Sequence, residues 1–215
     1  MNSFRYILLT LLLLPLAVSG QLTAEQALVN APSTLFPGIT RLTRMDMLDY
    51  FKSGSERTSA TRLSGTARVL ELTPENVVVE TAANRMVTTQ VALALNSKKD
   101  TIIVCVSNIA TPAMDGALKL YDSSWQPLKE TYFAAPALKD WIKKGVPKSD
   151  AREVMSLVPF AMAEYTYDPT SATLRLTPTF ADYLPEDVWN KVKDSLSSAL
   201  VYKWNGRKFV PQRAN

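Results

Sequence analysis

The stretch Asp100-Thr-Ile-Ile-Val-Cys-Val-Ser-Asn108 decides how the rest of the chain is read. Extended, it points Ile102, Val104 and Val106 one way and Ile103 and Cys105 the other, so both of its faces call for burial. Its polar flanks and short length disfavour a helix, although apolar periodicity alone also fits a buried helical segment. The reading is a central strand, with other segments paired beside it and covering it.

Working upstream, residues 67–72, 76–82 and 86–95 are β-branched or alternating runs, separated by the turn-like Thr73-Pro-Glu-Asn76 and Ala83-Asn-Arg85. They predict an antiparallel meander that enters the central strand through Lys98–Asp100. Downstream, Thr111-Pro112 with Asp115-Gly116 turns the chain into residues 117–122, where Leu118 and Leu120 alternate with Lys119 and Tyr121 and one face is wet. Before the meander, Thr23 caps a helix through Asn30, and Thr40 or Thr43 caps another through Lys52. In that second helix Leu42, Met45, Leu48 and Phe51 form a stripe, widened by Met47 and Tyr50, that is expected to lie on the sheet. Residues 53–64 are rich in Ser, Thr, Gly and charge and read as an exposed loop.

The second half opens with helical signals. Pro136 begins a short helix carrying Leu138, Trp141 and Ile142 and stopped at Gly145, and Ser149 caps another that Pro159 ends. Strands follow at 160–167 and 173–177, then a helix from Pro185 with Val188, Trp189, Val192 and Leu196 on one face. Residues 199–204 and 208–210 form a hairpin about Asn205-Gly206. This segregated order predicts an α+β fold, with antiparallel sheets and helices packed on one face. The units are 21–133 and 134–215, either tandem helix-plus-meander units or parts of one globule. A Tyr-Trp-turn character shared by 121–128 and 202–210 favours the tandem reading, without a fixed period.

Residues 1–20 read as a cleavable signal peptide: Arg5 ahead of an apolar run from Tyr6 to Leu16, then Ala17-Val-Ser-Gly20. A membrane anchor competes, but Thr10 and Pro15 break the run below the ~20 residues that span a bilayer. The expectation is an exported protein, periplasmic or at the cell surface, soluble after cleavage and without a membrane span. Across the chain 24 Lys and Arg oppose 20 Asp and Glu, a net charge of +4. These charges are dispersed apart from Lys98-Lys99 and Lys143-Lys144, which gives no footprint for nucleic acid.

The chain contains no histidine. That removes the commonest general base, the commonest metal ligand and the His-paired nucleophiles. Its one cysteine, Cys105, excludes an internal disulfide and sits in an apolar strand where a thiol is a core filler before it is a nucleophile. Phosphate-loop, dinucleotide and calcium-loop patterns are missing, so no cofactor and no metal are expected. Asp46 with Asp49 reads as helix-dipole and solvent residues, and Glu71, Glu80 and Glu130 as strand-surface acids. A histidine-free hydrolase working through such carboxylates is the alternative function. The better binding candidates are aromatic: Tyr121 and Trp125 after one strand, and Tyr202, Trp204 and Phe209 on the last hairpin. Exposed, they would hold a protein or glycan partner, while core packing is the simpler account of them.

Three strings carry a family resemblance: Phe36-Pro37 through Arg41-Leu42 to Asp46-Met-Leu-Asp-Tyr50; Asp100-Thr-Ile-Ile103 with Leu120-Tyr-Asp-Ser-Ser-Trp-Gln-Pro-Leu128; and Tyr202-Lys-Trp-Asn-Gly-Arg-Lys-Phe-Val210. The chain resembles the Bacteroidales proteins grouped as domain of unknown function 3256. The resemblance implies an exported protein of a Gram-negative anaerobe and brings no activity, cofactor or site residue. It also implies O-glycosylation at Asp-Ser/Thr followed by a small apolar residue, which makes Thr101 and Ser195 candidates. The resulting expectation is a non-catalytic envelope protein that binds a protein or glycan, with the hydrolase and an inhibitor-like tandem α+β protein as alternatives.

Overall fold

The computed structural model describes residues 21–212 apart from Asn84 and Thr111, so the expected signal peptide lies outside the described residues. Two helices, α1 (Ala24–Asn30) and α2 (Arg41–Lys52), precede six strands. These are β1 (Ser59–Ala60), β2 (Thr66–Leu72), β3 (Asn76–Ala82), β4 (Met86–Leu95), β5 (Thr101–Ala110) and β6 (Met114–Asp122). After two 3₁₀ turns come α3 (Lys148–Leu157), β7 (Ala163–Asp168), β8 (Thr173–Pro178), α4 (Glu186–Val192), β9 (Leu200–Trp204) and β10 (Phe209–Pro211). Among the described residues the strands form a six-stranded sheet, β1 to β6, and a four-stranded sheet, β7 to β10. Every neighbour is antiparallel and consecutive in the chain. The fold is α+β.

The opening stretch is β5, inside the larger sheet, with Ile103, Val104 and Val106 fully buried. Its alternation sorts two cores. Ile103 and Cys105 join Val77, Val79 and Val91 against Leu28, Met47 and Leu48 of the first two helices. Ile102, Val104 and Val106 face the other way, into a core shared with Tyr165, Leu174, Leu176 and Phe209 of the smaller sheet and Val154 and Val192 of α3 and α4. That second core draws on both halves of the chain.

Local signals set the first helix ends. Thr23 Oγ1 accepts the Gln26 N–H at 3.2 Å while Gln26 Oε1 accepts the Thr23 N–H at 3.1 Å, a capping box. Thr40 Oγ1 accepts the Thr43 N–H at 3.1 Å, choosing Thr40 over Thr43 as the cap. The expected apolar stripe of α2 is a correction: Leu42, Met45 and Phe51 are 67%, 41% and 37% exposed. Arg44 explains the rotation. Its guanidinium is buried and donates to the carbonyls of Ile39, Val29 and Ala31 at 3.3, 3.2 and 2.9 Å. Those carbonyls need a donor, so Arg44 turns inward; Leu48 and Met47 stay buried as expected, while Leu42, Met45 and Phe51 of the stripe turn out. Burial, then the nearby Arg41, lowers the Arg44 pKa.

Three further boundaries differ from expectation. The segment after Pro136 is a 3₁₀ turn, Leu138–Trp141, because Ile142 leaves it to pair with Leu196. Pro147, not Ser149, stands at the head of α3. Asp115 and Gly116 lie inside β6 rather than in a turn. The glycine is there for space: a Cβ on it would lie 2.5 Å from Tyr165 Cδ1 and 2.6 Å from Asn108 Oδ1. Gly116 therefore seats β7 against the larger sheet.

The seam between the sheets is polar in one place. Strand β7 is an edge of its sheet, and its outward peptide groups are met by side-chain amides from β4 and β5. Asn108 Oδ1 accepts the Tyr165 N–H at 2.8 Å and Asn108 Nδ2 donates to the Tyr165 carbonyl at 2.9 Å. One step along, Gln90 Oε1 accepts the Tyr167 N–H at 3.0 Å and Gln90 Nε2 donates to the Tyr167 carbonyl at 2.6 Å. Each amide carries a donor and an acceptor in the spacing of a peptide, so the pair replaces a missing strand. Gln90 Nε2 also donates to Asn76 Oδ1 at 2.8 Å, and Asn76 Nδ2 donates to Glu71 Oε1 at 2.7 Å, which extends the network to β3 and β2.

Candidate functional site

Two sheets have four outer edges, and three of them are blunted. Strand β1 has two residues, and β10 has three and ends in Pro211. Strand β7 is clamped by Gln90 and Asn108. Strand β6 is nine residues long. Exposed edges invite pairing with another chain, and short strands, proline and covering groups are the usual defences.

Among the described residues, only the ends of the β6 edge are occupied. At one end Leu128 N–H donates to the Leu120 carbonyl at 2.8 Å and Asp122 N–H to the Gln126 carbonyl at 3.0 Å. At the other, Thr179 Oγ1 donates to the Met114 carbonyl at 2.8 Å. Because outward groups recur every second residue, Gly116 and Leu118 aim their N–H and C=O the same way. Among the described residues none of these four groups has a protein partner. A groove of about 900 Å³ follows the gap, walled on one side by Pro32, Thr34 and Leu35 and on the other by Phe133, Ala134 and Tyr165. Two donors and two acceptors in register, between two apolar walls, form the hydrogen-bonding half of a strand pair.

Burial sets the titration of the tyrosine beside the gap and of the thiol on the opposite face of β5. Burial, reinforced by Asp115 and Tyr202, pushes the Tyr165 hydroxyl up to about 12. Burial likewise pushes the Cys105 thiol up to about 12, against the lowering effects of Ser107 and Lys119. Both are neutral near pH 7, and Cys105 is a core filler of the β5 face. The clefts of about 840, 580 and 900 Å³ present one carboxylate among their lining residues, Glu75. Among the described residues no group of three or more acids and thiols is arranged to hold a metal ion, and no helix is long and apolar enough to cross a membrane.

All five aromatic candidates are buried, at 5–9% exposure, so they form no exposed patch. Tyr121 and Trp125 pack at a tilt in the helix-side core, ring centroids 5.1 Å apart and planes at 56°, and Trp125 Nε1 donates to the Ala27 carbonyl at 3.1 Å. They close one end of the groove. Tyr202 and Phe209 pack edge-on around Phe133, at 5.4 and 5.9 Å. Trp204 donates from Nε1 to the Leu95 carbonyl at 2.8 Å and lines a separate cavity of about 580 Å³ together with Thr101. Thr101 opens β5 and is half-buried; Ser195 is half-buried in a 3₁₀ turn, its carbonyl accepting the Lys143 N–H at 2.9 Å. The sequence reading missed Gly116, Leu118 and Phe133. A glycine inside an alternating run was the available signal, since it marks close approach of a neighbour.

A family model described as "Protein of unknown function (DUF3256)" matches residues 17–209. The fold is similar to a solved structure titled as a domain of an uncharacterized protein from Porphyromonas gingivalis W83. The TM-score is 0.73 at 21% identity, covering 88% of this chain and 98% of that one. No curated protein matches.

Proposed function

The chain belongs to the DUF3256 family of proteins of unknown function, and from that premise we propose that it is a non-catalytic envelope protein that binds a partner protein by strand addition. The partner supplies an extended segment that lies in the groove as a seventh strand beside β6. The observation that carries the reading is the gap at Gly116 and Leu118 on a long edge of a molecule whose other three edges are blunted. Main-chain hydrogen bonds would provide affinity, and the two walls would read alternate side chains.

A protein partner is favoured over a glycan because the aromatic residues that would stack on sugar rings are core residues. The hydrolase alternative needs two facing carboxylates; the clefts of about 840, 580 and 900 Å³ hold one between them, and a smaller one of about 280 Å³ has Glu25 and Asp49 in its lining, with Glu25 already paired to Lys52. The inhibitor-like tandem reading needs two comparable units, whereas one sheet has six strands and the other four. Export to the periplasm or surface rests on residues 1–20 of the sequence. Glycosylation of Thr101 or Ser195 is part of the same proposal, and an intact mass equal to the bare cleaved chain removes it.

The binding test uses a panel of seven-residue extended peptides of alternating apolar and polar pattern, titrated while amide exchange is followed by NMR. Binding that slows exchange of both the Gly116 and Leu118 amides supports strand addition. Binding that leaves both amides unchanged, or no binding across the panel, overturns it.

A further inference from the structure

The first two helices cover only part of the larger sheet. Val77, Val79, Val91, Leu93, Ile103 and Tyr121 lie beneath them or beside them in one core. Further along the same face stand Thr81, Val87, Thr89, Ser107, Ile109 and Lys119, and here a cleft of about 840 Å³ replaces the helices. Its far wall is the turn through Phe36 and Ile39, held to the neighbouring loop by the Arg62 N–H donating to the Gly38 carbonyl at 2.9 Å. The rim thus belongs to the fold.

The lining has a definite chemistry. Ile109 and Leu63 leave 39% and 60% of their surface exposed at the cleft, an uncovered apolar surface. Arg85 from the β3–β4 turn and Lys119 from β6 are the only charged side chains among the described lining residues, and both are exposed. Neither is among the ion pairs of the described residues, which join Lys52 to Glu25 and Arg68 to Glu80. A cleft of several hundred cubic ångströms with apolar floor, hydroxyl groups and uncompensated cations is complementary to a ligand that is apolar in body and negative at one end.

We propose that this cleft binds an amphiphilic carboxylate, with its apolar body on Val87, Ile109 and Leu63 and its head group drawn to Arg85 or Lys119. The cleft adjoins the β6 groove, with which it shares Thr34, Leu35, Ala117 and Lys119, and Arg85 belongs to the cleft alone, so its single reversal to glutamate separates this site from strand addition.

The test is a fluorescence titration of the mature chain with a dansylated undecanoic acid. Saturable binding is expected, reversed by palmitate and not by hexadecanol of the same chain length. Arg85→Glu with Lys119→Glu should weaken binding about tenfold or more, as loss of charge-assisted contacts does. Ser107→Trp, which fills the floor, should abolish binding, with an unchanged cooperative melt confirming the fold. Both charge reversals are at exposed positions, so they test the proposal even where the tryptophan variant unfolds. Equal displacement by hexadecanol, unaltered affinity in the charge-reversed protein, or no saturable binding overturns the proposal.

Discussion

Strands β6 and β7 are both sheet edges, and they are finished in opposite ways. Along β7, Asn108 and Gln90 meet the peptide groups of Tyr165 and Tyr167 with four hydrogen bonds of 2.6–3.0 Å. Along β6 the ends are tied down and the middle is left with its peptide groups facing a groove. The two strands come close at Gly116, where the absent Cβ leaves room for the Tyr165 ring. A buried edge without partners would lose about 1–3 kcal/mol for each orphaned group, and the bonds at Tyr165 and Tyr167 of β7 are buried. The β6 gap opens on solvent, where water satisfies the same groups. Polar satisfaction is thus compulsory only at the sealed seam, and the open edge is where a partner's backbone can replace water.

The largest expected effect comes from breaking the clamp. Gln90→Leu leaves the Tyr167 N–H and carbonyl buried without partners and severs the link to Asn76. Urea denaturation should show a loss of about 2–5 kcal/mol, with Asn108→Leu similar, since each orphans two groups. Gly116→Val comes next: its side chain meets the Tyr165 ring, and overpacking of this kind costs about 1–3 kcal/mol.

Proline separates the two sides of β6. Ala117 pairs with Ser107 through the ladder, and Ala117→Pro should cost about 3 kcal/mol by removing a bonded donor. Leu118→Pro removes a donor that has no protein partner and should cost under about 1 kcal/mol while abolishing peptide binding. Equal losses for the two proline variants would mean that the edge is not open.

The smallest effect is at neutral pH, where Cys105 and the buried tyrosines are protonated in both folded and unfolded chains. Burial raises the Cys105 thiol and the Tyr165 and Tyr167 hydroxyls to about 12. Their stabilisation is complete below the unfolded values of 9 and 10 and is lost as pH rises toward about 12. Stability should therefore be flat up to about pH 9 and fall above it, and the native thiol should resist alkylation at pH 8 until denaturant is added.

Much of the fold was legible in local chemistry. The double-faced alternation of residues 102–106 placed β5 inside the sheet, and turn residues set the order of the meander. What escaped was whatever depended on contacts between distant segments. Arg44 faces inward because of carbonyls at positions 29, 31 and 39, so the apolar pattern of α2 placed Met47 and Leu48 correctly but not Leu42, Met45 and Phe51. Gln90 and Asn108 sit in strands as ordinary polar residues until β7, 57 to 77 positions away, gives them partners. The aromatic candidates illustrate the converse. Tyrosine and tryptophan report amphipathic surface, and only packing decides whether that surface is core or interface. The site lay in a glycine read as a turn.

Backbone amide exchange in the isolated protein tests the contrast between the two edges most directly. The Gly116 and Leu118 amides should exchange far faster than those of Tyr165 and Tyr167, whose exchange should follow global unfolding. Equal protection at all four amides would mean that β6 already has its partner within the chain, and would contradict the account.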